Sequence, residues 1–92
     1  MDYAVREQVD LPNGCKALLY DMPISGAHVV NNLACEAPDG SLLWTASPGE
    51  FGPDEFVAVR LDSDMLVANT WSGFALWLDP ISGREVRRVF TK

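Results

Sequence analysis

Apolar and polar residues alternate along most of this chain with the two-residue period of a half-buried strand, and turn residues cut the pattern into short runs. The clearest run is Phe74-Ala75-Leu76-Trp77-Leu78-Asp79. Phe74, Leu76 and Leu78 share one face of it, and Ala75, Trp77 and Asp79 share the other. Asp79-Pro80-Ile81-Ser82-Gly83 then reads as a turn, because Pro presets φ and Gly enters the left-handed region at no steric cost. Val86 and Phe90 share a face of the strand that follows. Upstream, Val57, Val59 and Leu61 face one way, and Phe56, Ala58 and Arg60 the other. Asp62-Ser63-Asp64 supplies a tight turn whose side chains can bond the backbone. Residues 65–70 form the next strand, and Trp71-Ser72-Gly73 the next turn.

The first half repeats this pattern more faintly. Lys16–Tyr20 reads as a strand, residues 21–26 as a connection and 27–30 as a second strand. Asn31-Asn32 suits a two-residue hairpin turn. Residues 33–37 form a third strand, Pro38-Asp39-Gly40 a turn, and residues 41–46 a fourth strand. Leu33-Ala34 matches Phe74-Ala75 at an offset of roughly 41 residues, within the blade length of propeller repeats. Tyr3, Val5 and Val9 alternate weakly before the turn Leu11-Pro12-Asn13-Gly14, which adds an N-terminal strand able to cover a sheet edge. Nowhere does helical spacing persist over three turns. The expectation is one all-β domain over residues 1–92: an antiparallel meander of about eight strands in two propeller-blade-like sheets, a sandwich or partial propeller open to completion by oligomerisation. Its parts are residues 1–14 as N-terminal strand and turn, 15–47 as the first repeat, 48–54 as a Pro- and Gly-rich linker, and 55–92 as the second repeat.

Composition narrows the picture. A chain of 92 residues makes one domain. A hydrophobic fraction of 48% excludes a disordered tail. With 13 acidic against 7 basic residues, the net charge is −6. Phosphate binding needs clustered cations, so nucleic acid and anionic membrane are not expected as partners. Arg84, Arg87 and Arg88 form the one basic cluster and read as a solvated strand face. No apolar run reaches the ~18 residues of a membrane span. The N-terminus lacks the basic-then-apolar pattern of a secretion signal, so a cytoplasmic protein is expected.

Ser72-Gly73-Phe74-Ala75-Leu76-Trp77-Leu78-Asp79-Pro80-Ile81-Ser82-Gly83 resembles a blade of the quinoprotein-like (pyrroloquinoline-quinone-type) β-propellers. Such blades carry a hairpin ending in Gly, an aromatic-aliphatic strand, a Leu-Asp-x-x-Thr-Gly turn and a strand closing on Leu-Trp. Ser82 stands here in place of Thr, and Arg87 or Arg88 in place of the closing Trp. Leu43-Trp44 keeps that closing pair in the first repeat. The resemblance implies blade shape. A propeller needs roughly four to eight blades and this chain offers about two. A face-to-face sandwich, a ring shared between chains and a piece of something larger therefore stay open, although Met1 suits a complete chain. In that family acidic and amide side chains from many blades hold calcium and quinone. No position here matches them, so no cofactor is expected.

No catalytic set is written in the chain. His28 is the one histidine, on an expected strand without a nucleophile-elbow pattern near it. Cys15 and Cys35 lack zinc-ligand spacing with His28. They fall near the first and third strands of one sheet, roughly 9–10 Å apart, beyond the ~7 Å reach of a disulfide. Two free thiols are expected. Asp62 and Asp64 lack the Gly and distal Glu of a calcium loop and read as a solvated turn. The aromatics are better candidates. Trp71 sits in a turn, Phe51 in the linker, and Trp77 on the less apolar strand face, pointing outward or into a second layer. Trp commonly anchors interfaces, so Trp71, Trp77 and Phe51 are the candidate binding residues. The sequence thus reads as a non-enzymatic protein-binding or assembly module, joining a protein partner or a second copy of itself. The acidic balance favours a basic partner surface. The alternative is a small-molecule domain with a sugar or quinone-like ligand between the sheets, using Asn31, Asn32, Asn69 and Thr70.

Overall fold

The computed structural model of the chain describes residues 3–22, 29–50 and 52–91. Among them lie eight antiparallel strands and no helix. They are β1 (Val5–Asp10), β2 (Lys16–Tyr20), β3 (Leu33–Glu36), β4 (Leu42–Ala46), β5 (Phe56–Asp62), β6 (Met65–Thr70), β7 (Phe74–Leu78) and β8 (Glu85–Phe90). They make two four-stranded meanders, β1-β2-β3-β4 and β5-β6-β7-β8, which do not close into a barrel or a propeller. The sheets face each other, with β5 lying against β1 and β2.

The first sheet differs from its sequence reading. Of the strand expected at 27–30, residues 27 and 28 lie outside the described residues. Val29 makes only an isolated parallel bridge to Asp54, and β3 pairs directly with β2. Asn31-Asn32 is therefore not a hairpin turn. β1, expected as an extra strand, is a full member of the sheet through its pairing with β2. Its alternation is weak because it is an edge strand with mostly exposed side chains.

Paired residues share a face, so the core can be read as rows across each sheet. Val9, Ala17, Cys35 and Trp44 form such a row in the first sheet. Val59, Ala68 and Leu76 form the facing row in the second. With Leu19, Leu33, Phe56, Leu66 and Leu78 they belong to one apolar core. Strict alternation would put Phe56 and Val59 on opposite faces. A register shift between Phe56 and Ala58 turns both inward, as an inserted bulge residue does.

The two ends of this sandwich are built differently. At one end lie the short turns between β1 and β2, β3 and β4, β5 and β6, and β7 and β8. There Trp44 Nε1 donates to the carbonyl of Pro80 at 3.1 Å. The Trp44 ring lies over Gly83, where a Cβ would meet it at 2.5 Å. Gly83 also has φ +75°, so conformation and space both demand glycine. At the other end lie the long connections from β2 to β3 and from β4 to β5 and the tight turn between β6 and β7, and buried polar side chains knit them. The Asn32 side chain donates to the carbonyls of Tyr20 (3.0 Å) and Phe56 (2.8 Å) and accepts from the Phe56 amide (2.9 Å). Asp54 accepts from the amides of Glu55 and Ser72 and from the Ser72 hydroxyl at 2.7 Å.

Candidate functional site

At the turn end the two layers leave an open cleft of about 350 Å³. Its position follows from local sequence. The turn after β1 supplies Leu11, Pro12 and Asn13, the turn into β6 supplies Asp64 and Met65, and the turn after β7 supplies Asp79, Pro80 and Ile81. Leu11 is buried and Ile81 is 78% exposed, so the apolar wall runs from floor to rim. Three short turns shape the mouth. Leu11 N donates to the Cys15 carbonyl, and Asn13 Oδ1 takes the Cys15 amide. Ser63 sits at φ 57° between Asp62 and Asp64, in the left-handed region that tight turns use. Asp79 Oδ1 accepts the Ile81 amide at 2.8 Å, and the Asp79 amide bonds to Arg84. The ion pairs among the described residues are Arg6–Glu55 and Arg88–Glu85. Asp64 and Asp79 are thus carboxylates without a cationic partner there.

The aromatic candidates do not converge on this cleft. Trp71 is 54% exposed in the turn between β6 and β7, at the opposite end. Trp77 is half-buried on the face of β7 turned away from the core. It pairs with Val67 and Arg87, and the Arg87 guanidinium lies 4.9 Å from its ring centroid, a cation–π contact. Phe51 and His28 lie outside the described residues. The basic cluster is not simply solvated. Besides Arg87, Arg88 binds Glu85 at 2.7 Å and donates to the Pro48 carbonyl, and hydrogen bonding to Glu85 raises the Arg88 guanidinium above its ordinary pKa.

The polar groups proposed for a ligand are largely committed to the fold. Asn32 clasps both sheets. Thr70 Oγ1 takes the Phe74 amide and meets the Ser72 hydroxyl at 3.1 Å. Asn69 accepts from Arg60 at 3.3 Å. No buried side-chain polar atom among the described residues is left without a hydrogen bond.

The cysteine spacing also needs correction. β2 and β3 are neighbours, not first and third strands. Cys35 pairs with Ala17, two residues from Cys15, so the thiols occupy one side of the core. Both are free and buried. Burial, first, and then the nearby Cys15 thiol and Glu36 push the Cys35 thiol up to about 11. It is a neutral core group, the opposite of an activated nucleophile. Tyr20 is likewise raised by burial and by Glu36, to which its hydroxyl donates at 3.4 Å.

No group of three or more His, Cys, Asp or Glu among the described residues is placed to hold a metal ion. None of their elements is a helix long and apolar enough to cross a membrane. No family model, curated protein or solved structure matches the chain.

Proposed function

We propose that this chain is a non-enzymatic protein-binding or assembly module that joins its partner along an open sheet edge. The observation that carries this reading is β4. It pairs on one side only, with β3, and runs Leu42-Leu43-Trp44-Thr45-Ala46 without a charge. Leu42 on it is 62% exposed. An uncharged apolar edge is a template for strand addition, and proteins normally blunt such edges with charge. β8, the outer edge of the second sheet, is blunted in that way by Glu85, Arg87 and Arg88. The inner edge of β5 is partly satisfied, since Val59 N donates to Glu7 of β1 at 2.8 Å. A second copy is the first partner to test. Sedimentation should show a mass that grows with concentration, and Leu42→Lys should hold the chain as a monomer. A wild-type mass that stays monomeric throughout contradicts self-association.

A second reading, a small-molecule site where the sheets meet, is favoured by the cleft at the turn end. Its volume lies at the lower bound of ordinary ligand pockets, about 300 Å³.

A further inference from the structure

Resting on that second reading, we propose that the cleft takes an organic cation: a primary alkylammonium ion whose hydrocarbon body lies on the apolar wall and whose head meets Asp64 and Asp79. The cleft imposes two demands. Leu11, Met65, Pro80 and Ile81 offer hydrocarbon and a polarisable sulfur, which suit an unbranched chain. Ile81, largely exposed at the rim, would lose its water contact to such a chain.

Charge sets the second demand. Asp64 and Asp79 border the same space and neither forms an ion pair with a described residue. The remaining polar lining group, Asn13, is neutral. An anion entering here would meet two carboxylates of its own sign. A purely hydrocarbon guest would strip water from those carboxylates and return nothing. A sugar would leave the apolar wall unmatched. An ammonium head with an alkyl body meets both demands, and the net charge of −6 draws cations toward the molecule. The Asp79 carboxylate is held in place, because one oxygen already caps the Ile81 amide and the other remains for the guest.

The test is an amide NMR titration of the full chain with n-hexylammonium chloride, beside neutral n-hexanol and anionic hexanoate. The expected result is saturable shifts at Asn13, Asp64, Met65, Asp79 and Ile81 with hexylammonium, weakened by added salt. Hexanol should bind roughly fivefold or more weakly, and hexanoate not at all. The pair Asp64→Asn with Asp79→Asn should lower hexylammonium affinity by a similar factor. Its remaining spectrum should be unchanged, because an Asn oxygen still caps Ile81. Equal binding of hexanol and hexylammonium at these residues would overturn the charge assignment while leaving a small-molecule cleft. Saturable shifts elsewhere, or none with any probe, would overturn both.

Discussion

The loop end and the turn end of this sandwich solve the same problem by opposite means. At the loop end, backbone between strands must be satisfied in a dry setting, and the buried side chains of Asn32, Asp54 and Thr70 do it. Asn32 makes three hydrogen bonds and links β2 to β5 across the layers. Asp54 holds the start of β5 to the turn after β6, and its own backbone joins Val30. At the turn end each turn closes on itself, and the layers meet through Trp44 against the turn at Pro80 and Gly83. The rest of that end is left as a cleft. The contrast is a division of labour: the polar network secures the pairing of the sheets, and the turns leave a cleft between them.

The sharpest break of this comparison is Asn32→Ala. It strands the Tyr20 and Phe56 carbonyls and the Phe56 amide, each costing about 1–3 kcal/mol when buried without a partner. A loss of about 3 kcal/mol is expected, and thermal unfolding should shift down by about 12 °C or more. Gly83→Ala is next. It places a Cβ against the Trp44 ring and strains a positive φ, for about 2 kcal/mol, read as a lower urea midpoint. Asp54→Ala should cost about 2 kcal/mol, whereas Asp54→Asn, which keeps one oxygen for the amides of Glu55 and Ser72, should cost about half of that or less.

A pH-dependent effect comes from Cys35. Its thiol is raised in the fold from 9.0 to about 11, so below 9 it is protonated in both states and stability does not depend on it. Between 9 and about 11 the unfolded chain releases the proton first, so stability falls as pH rises. Urea midpoints across that window should fall less steeply in Cys35→Ala. The smallest effect is at the cleft rim, where Ile81→Ser should stay within about 0.5 kcal/mol of the parent. A large loss there would mean that the cleft rim is structural.

The fold was legible where residues have strong local preferences. β7, its turn and β8 follow from alternation, Pro80 and Gly83, and β5 to β6 follow from the Asp62-Ser63-Asp64 turn. The first sheet was harder to read because its signals are tertiary. β1 stands at an edge, so its side chains carry little pattern. Asn32, which looks like a turn residue, is a buried clasp whose partners lie 12 and 24 positions away. That distance also misplaced Cys15 relative to Cys35, since the strand order sets it. The cleft was legible only in fragments: Leu11-Pro12-Asn13, Asp64 and Asp79-Pro80-Ile81 each read as turns, and nothing local brings three turns from separate hairpins to one mouth. Trp71 and Trp77, eye-catching in sequence, are held at different places by the register of β7.

Native-state hydrogen exchange tests the difference between the two ends most directly. The amides of Phe56 and Ser72, bonded to Asn32 and Asp54, should open only with global unfolding, while those of Ile81 at the cleft and of Arg84 farther along the same turn exchange through local opening. Equal protection at both ends, or slower exchange at Ile81 than at Phe56, would contradict a molecule locked at its loops and open at its turns.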